Sequence, residues 1–221
     1  MQQVIELFLT DSEKISDDLL NRLLSRLPDA QKAKALKFET HKRRREFIVG
    51  RTLLLQALVT YNAFSALPDI LEKPSSAPEL KGVNDWYLSI SHSHQLVCCV
   101  LHNSPIGVDI EFKKDITNPI EKSHFFMTAE EVAELELLVS DEAKKHYFYQ
   151  VWCTKEAIFK ALSPAEQNTT SLHTLPYSGV VDGEKRWSIF DTDIENYHLS
   201  LAYMGKVERV QLRQIDLLSL I

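Results

Sequence analysis

The sequence predicts an α+β protein, and three observations carry that class. Apolar residues recur at helical spacing over 16–27, 30–38, 42–63, 128–138 and 141–162. Alternating or continuous apolar runs of strand length fall at 3–9, 86–91, 97–102, 106–112, 187–190, 197–204 and 207–214. Helical stretches precede strand-like ones, and that order occurs twice along the chain. The two halves share this grammar without visible self-similarity of sequence, so the residues alone imply no internal repeat.

Local chemistry supports the elements in order. Ser16 stands at the position of an N-cap for the first helix, which Pro28 stops. Over 42–63, Phe47, Leu54, Leu58 and Tyr61 form an apolar stripe, with Ile48 and Leu55 beside it. Gly50 interrupts that stripe at a cost of about 1 kcal/mol against Ala, which predicts close packing against a neighbour. Pro68 to Pro78 reads as a loop. After an irregular stretch following Phe112, Thr128-Ala129-Glu130-Glu131 fits a capping box, with Glu131 reaching back to the backbone of Thr128.

Bulk properties narrow the function classes. The 221 residues are 44% hydrophobic and 25% charged, enough chain for one or two domains with a real core. A formal net charge of -6 gives no reason to expect nucleic-acid binding. Against that acidic balance, Lys32, Lys34, Lys37, Lys42, Arg43, Arg44, Arg45 and Arg51 crowd into one segment, offset there by Glu39 and Glu46. Such a segment is either a solvated helix face or a holder of phosphates or of an acidic partner. Cys98, Cys99 and Cys153 make an odd count without a CxxC or Cys/His zinc pattern, so no disulfide framework is expected. The first residues show no signal peptide and no stretch reaches 18 uninterrupted apolar residues, so a cytoplasmic protein without a membrane span is expected.

Two segments carry the chemistry. In Gly107-Val108-Asp109-Ile110-Glu111, carboxylates at i and i+2 of a strand share a face, about 7 Å apart along the backbone. In Trp152-Cys153-Thr154-Lys155-Glu156-Ala157-Ile158-Phe159-Lys160, helical spacing puts Trp152, Glu156 and Lys160 on one stripe. Three carboxylates and an ammonium suit Mg2+ and a phosphorylated ligand. The bland alternatives are a strand with an acidic solvent face and an ordinary Glu-Lys helix pair, worth about 0.2–0.5 kcal/mol.

Together these segments resemble the signature of the 4'-phosphopantetheinyl transferases, in particular the long, Sfp-like type. Further elements follow in family order: the basic stretch from Arg43 to Arg51, Lys73-Pro74, and Ser89-Ile90-Ser91-His92-Ser93. The resemblance covers residues 34 to 160. It implies two similar α/β subdomains related by a pseudo-twofold, residues 1–104 and 105–221, with a ligand cleft between them. It implies Asp109, Glu111 and Glu156 as Mg2+ ligands, and Glu156 as the group that deprotonates the attacking serine, directly or through water. It implies that Lys160 stabilises phosphate charge and that Lys34, Lys73, Ser91, His92 and Lys160 contact coenzyme A. Glu130 echoes a Phe-Phe-x-x-x-Glu element, with helix-dipole complementation as its other reading. The role of Lys155 stays open, as does the choice among Arg43, Arg44 and Arg45 for a ligand contact; Arg45 is carried forward as a candidate. His94 stands where many relatives carry Gly.

The implied activity transfers 4'-phosphopantetheine from coenzyme A to a serine of an acyl or peptidyl carrier protein, the reaction of a holo-acyl-carrier-protein synthase. Fatty-acid, polyketide and nonribosomal-peptide carriers all stay open. The implied protein is a monomer that binds neither nucleic acid nor membrane. The rival readings are a Mg2+-dependent phosphodiesterase or nuclease and a non-catalytic coenzyme A or carrier-protein binding module.

Overall fold

The computed structural model describes residues 4–61, 66–71, 78–81, 86–181 and 184–220. Lys73 and Pro74 lie outside the described residues. The chain divides into two compact units: one holds the residues up to Lys73 with Pro78–Ser104 and Val207–Ile221, the other holds Pro105–Lys206. Among the described residues, no helix is long and apolar enough to cross a membrane.

The first unit opens with β1 (Val4–Asp11), followed by α1 (Asp17–Arg26), α2 (Asp29–Ala35) and the long α3 (His41–Thr60). Two short strands, β2 (Ile70–Leu71) and β3 (Glu79–Leu80), precede the hairpin of β4 (Tyr87–Ser93) and β5 (Leu96–His102). Ser16 caps α1, its hydroxyl accepting the Leu19 N–H at 3.2 Å, and Thr40 caps α3 through the Arg43 N–H at 3.3 Å. The second helix ends at Ala35 rather than Phe38, and Phe38 instead stacks on Phe47 with ring centroids 5.2 Å apart. A Cβ on Gly50 would lie 3.2 Å from the Ile90 side chain, so the glycine lets α3 settle closely on β4. Phe8, Leu23, Leu53, Leu54, Leu58 and Leu101 fill the core beneath. The hairpin turns at His94, whose φ of 51° is left-handed. That conformation favours glycine, which is why a Gly suits this position and a His is a tolerated exception.

The second unit repeats the same plan. A strand, β6 (Ile106–Phe112), is followed by α4 (Pro119–Ser123), α5 (Ala129–Leu137), the long α6 (Asp141–Ala161) and α7 (Pro164–Gln167). The pair β7 (Val180–Val181) and β8 (Glu184–Lys185) leads to a hairpin of β9 (Ser188–Ile194) and β10 (Tyr197–Tyr203). In both units the opening strand pairs antiparallel with the last strand of the later hairpin: β1 with β5, and β6 with β10. The α+β class read from the sequence is the class observed.

Two departures from the sequence reading have clear causes. The strand expected over 187–190 continues to Ile194, because Asp191, Thr192 and Asp193 pair with Ser200, Leu199 and His198 of β10. The final strand, β11 (Arg209–Gln214), does not stay with the C-terminal half. It pairs parallel with β1 in the first unit, from Val4↔Arg209 to Leu9↔Gln214, and Arg213 forms an ion pair with Glu6. A boundary that assigns everything after residue 105 to one subdomain therefore misplaces residues 207–221.

Glycine at 107 sets the approach of α6 to the sheet. A Cβ there would sit 2.0 Å from the Ala157 carbonyl oxygen and 2.8 Å from the Ala161 nitrogen, both backbone atoms that cannot move aside. A glycine inside a strand weakens it unless another backbone must come this close. Gly107→Ala is expected to lower stability by at least about 2–3 kcal/mol, since overpacking against rigid backbone cannot be relieved by a rotamer change. Urea denaturation of the two proteins measures this directly, and an unchanged midpoint would refute the close-approach argument.

Candidate active site

In an antiparallel sheet, residues directly opposite each other share a face. The register β6–β10 pairs Gly107 with Ala202, Asp109 with Ser200 and Glu111 with His198. The register β9–β10 adds Asp191 beside Ser200 and Asp193 beside His198. One face of this sheet therefore carries four carboxylates, and it is the face that α6 covers. Thr154 of α6 bridges to it, its hydroxyl lying 3.2 Å from both Asp191 Oδ1 and Ser200 Oγ.

The two sequence segments meet here. Lys160 Nζ lies 2.6 Å from Asp109 Oδ1, linking the helix motif to the strand motif across 51 positions. Asp109 is 3% exposed, so this is an ion pair at a buried carboxylate. Glu156, half-buried one turn before Lys160, has its carboxyl raised from the ordinary glutamate value. Desolvation is the main cause; Lys160 opposes it, and Asp109 and Glu111 add to it. Those influences place all four groups within electrostatic reach of one another. Three acids against one lysine leave an excess of negative charge, which is the condition a divalent cation relieves. Hard oxygen donors of this kind suit Mg2+, with Lys160 supplying part of the countercharge.

The neighbouring thiol is not a nucleophile. Cys153 is fully buried and its pKa is pushed well up by desolvation and by the negative charges of Asp109 and Glu111. It stays protonated, facing the His198 carbonyl at 3.7 Å.

A family model described as the 4'-phosphopantetheinyl transferase superfamily matches residues 105–203, the stretch that carries this geometry. Over that stretch the chain is similar to the 4'-phosphopantetheinyl transferase superfamily. It is 37% identical over 83 residues to the 4'-phosphopantetheinyl transferase Sfp of Bacillus subtilis (strain 168), a match covering 38% of this chain and 36% of that relative. Longer matches link it to the 4'-phosphopantetheinyl transferase psf-1 of Bacillus pumilus, 28% identical over 71% of this chain and 70% of the relative. The 4'-phosphopantetheinyl transferase HetI of Nostoc is 29% identical over 64% and 62%. The matched stretch thus spans about a third of the length of the Bacillus subtilis relatives.

With the superfamily in view, the remaining motif residues divide by environment. Lys155, left open by the sequence, is fully buried: its Nζ lies 2.7 Å from Glu131 Oε2 and donates to the Phe126 carbonyl at 2.8 Å. The same Glu131 oxygen accepts the Thr128 N–H at 2.8 Å, completing the capping box of α5. Burial lowers the pKa of Lys155 and the Glu131 carboxylate works against that shift. Lys155 is therefore a strut that ties the start of α5 and the Phe126 segment to α6. Glu130, with its two readings of family element and helix-dipole complement, is exposed. Hydrogen bonds from its own backbone and from Thr128 hold its carboxyl below the usual range, as befits a first-turn acid at a helix N-terminus.

In the first unit, the expected coenzyme A residues occupy separate surroundings. Ser91 is buried in β4, and His92 Nδ1 lies 3.6 Å from Glu46 Oε2. Lys42 and Arg43 each approach Glu46 at 3.9 Å. Lys34 sits over the Phe47 ring at 5.5 Å, and Arg51 over the same ring at 4.6 Å. Arg45 is committed to the fold: it donates to the Ser12 and Ile15 carbonyls and pairs with Asp17 at 2.7 Å. Those bonds pin the segment before α1 to α3, which removes Arg45 as a ligand contact. Arg44 reaches the Phe38 carbonyl at 3.5 Å, leaving Arg43 as the exposed member of the run.

Two expectations follow. Lys155→Met strands Glu131 in the interior and should cost about 3–5 kcal/mol, whereas Lys155→Met with Glu131→Leu should regain most of that loss. Chemical denaturation of both variants separates a structural pair from a dispensable one. The second concerns Glu156: its raised pKa means the folded state holds this proton more tightly than the unfolded chain. Stability from that source is present at low pH and is lost as pH rises through the raised value. In EDTA at neutral pH, Glu156→Gln should thus be more stable than the parent. The gap should close as pH falls below about 4.3, the ordinary glutamate value. A parent that is the more stable protein at neutral pH would contradict the desolvation argument.

Proposed function

We propose that this protein transfers the 4'-phosphopantetheine group of coenzyme A to a serine hydroxyl of an acyl or peptidyl carrier protein. The observation that carries the reading is the 2.6 Å contact between Lys160 and Asp109, which assembles the strand and helix motifs into one acidic site within the matched segment. Asp109, Glu111 and Glu156 are the residues proposed to hold Mg2+, whose charge neutralises the pyrophosphate of the bound coenzyme.

The protein's own groups account for the rest. The Glu156 carboxyl, raised by desolvation, is a stronger base than an exposed glutamate once ionised, which suits it to take the serine proton directly or through a water. The serine oxygen then bonds to the phosphorus on the pantetheine side as the phosphorus–oxygen bond to adenosine 3',5'-bisphosphate breaks. Lys160 offers a cation to the charge that develops on the phosphate oxygens. Positioning and charge neutralisation do most of the work in phosphoryl transfer. Lys34, Ser91, His92 and Lys73 are the proposed coenzyme A contacts. Lys42 and Arg43 provide exposed positive charge for an acidic carrier. The finer assignment, a holo-acyl-carrier-protein synthase acting in the cytoplasm as a monomer, belongs to the same proposal.

Intact-mass measurement of an apo carrier protein incubated with this protein, Mg2+ and coenzyme A tests it. The expected product is a carrier heavier by one phosphopantetheine, absent in EDTA and absent with Asp109→Asn. Cleavage of coenzyme A without any carrier mass change would assign a phosphodiesterase. Binding of coenzyme A or carrier with neither reaction would assign a binding module.

A further inference from the structure

We propose that His146, Asp193 and His198 form a second metal site, separate from the three-carboxylate site, that takes Zn2+ or a chemically similar cation. One ligand atom from each of the three residues lies within 4.8 Å of the others. His198 Nδ1 is 2.8 Å from Asp193 Oδ1, and His146 Nδ1 is 3.4 Å from Asp193 Oδ2. Zinc bonds of about 2.0–2.1 Å in tetrahedral geometry place ligand atoms about 3.3 Å apart, so these separations bracket what the ion requires. Two imidazole nitrogens beside one carboxylate oxygen favour Zn2+ over Mg2+, which takes oxygen donors.

The surroundings of His198 argue for a metal beyond the bare cluster. The ring is 2% exposed, and its Nε2 is buried without a hydrogen bond; Asp191 Oδ1 stands 3.7 Å away. A carboxylate only accepts, so Nδ1 must carry the proton that faces Asp193. Nε2 then faces a second carboxylate at 3.7 Å, too far for a hydrogen bond. A cation on Nδ1 reverses this arrangement. The proton moves to Nε2 and points at Asp191, giving the carboxylate–histidine–metal order of metal sites. Asp191 is already fixed for that role by Ser200 Oγ at 2.5 Å and Thr154 Oγ1 at 3.2 Å.

The other two ligands are equally prepared. Lys113 and His198 both lie within hydrogen-bond distance of the Asp193 carboxylate and hold it in place. Lys113 Nζ lies 2.8 Å from Oδ2 and orients the carboxylate, with Oδ1 toward His198 and Oδ2 toward His146. His146 and Asp193 are 47% and 37% exposed at their side chains, so the ion has an entry path and water can complete a fourth position. His146 comes from the first half of α6, Asp193 from β9 and His198 from β10. A bound ion therefore clips the helix to the hairpin, beside Glu111 in the sheet register, and its effect is structural.

Metal-stripped protein titrated with Co2+ tests the site. Wild type should develop the strong visible absorption of a tetrahedral nitrogen-containing site, and Zn2+ should displace it and raise the melting temperature where Mg2+ does not. His146→Ala, at an exposed position that the fold tolerates, should abolish the band, and Asp191→Asn should weaken Zn2+ binding by about 10–100-fold. Asp109→Asn should keep the band. The proposal falls if wild type gives no tetrahedral band. It also falls if the band survives His146→Ala or disappears with Asp109→Asn, because the ion then sits elsewhere. None of these readouts depends on transferase activity.

Discussion

The approach of α6 to β6 at Gly107 governs the second unit, because two backbones meet where any side chain would hold them apart. Closing that distance brings Lys160, one turn beyond Glu156, onto Asp109, two residues beyond Gly107. It also seats Thr154 on Asp191 and Ser200, and Cys153 under the His198 carbonyl. A wider separation would leave the carboxylates in water and the lysine without its partner. The glycine that begins the strand motif is thus as much a part of the site as the acids that follow it.

The same helix uses two lysines in opposite ways. Lys155 is sealed against Glu131 and the Phe126 carbonyl, with its donors directed to fixed partners. Lys160, 29% exposed at the side chain, faces the acids and keeps contact with solvent. A buried ion pair adds little net stability over an apolar isostere, so its value lies in orientation. Here it fixes the register of α5 and the Phe126 segment on α6, where Phe126 meets both Phe148 and Trp152 edge-on at 5.0 Å. That packing holds the helix from which Glu156 and Lys160 project.

Much of this was legible in the sequence where local chemistry decides. Ser16 acts as a cap, and Thr128 with Glu131 as a capping box, because those roles depend on neighbours a few residues away. What escaped depends on partners distant in the chain. Asp191 and Asp193 look like the polar end of a strand until the pairing with β10 carries them onto the acid-bearing face. The alternation Phe190-Asp191-Thr192-Asp193-Ile194 was the available signal, masked by acids that are usually depleted in strands. Nothing local says that β11 returns to β1, or that Arg45 binds two carbonyls some thirty residues upstream. The role of Lys155, left open by the sequence, depends on its contact with Glu131, twenty-four residues earlier in the chain.

The basic segment of the first unit shows how far charge counting differs from available charge. Of the cations between residues 32 and 51, Arg45 is tied to Asp17 and two carbonyls, and Arg51 is buried over Phe47 with Gln31. Lys32 answers Asp29 at 3.1 Å within its own helix. Glu46, buried between Lys42, Arg43 and His92, draws these three toward one point. A cluster of one carboxylate among three basic groups keeps a local positive surplus, gathered around Glu46. The positive charge that a polyanionic partner meets here is therefore smaller than the sequence count, because Arg45, Arg51 and Lys32 already have partners within the fold.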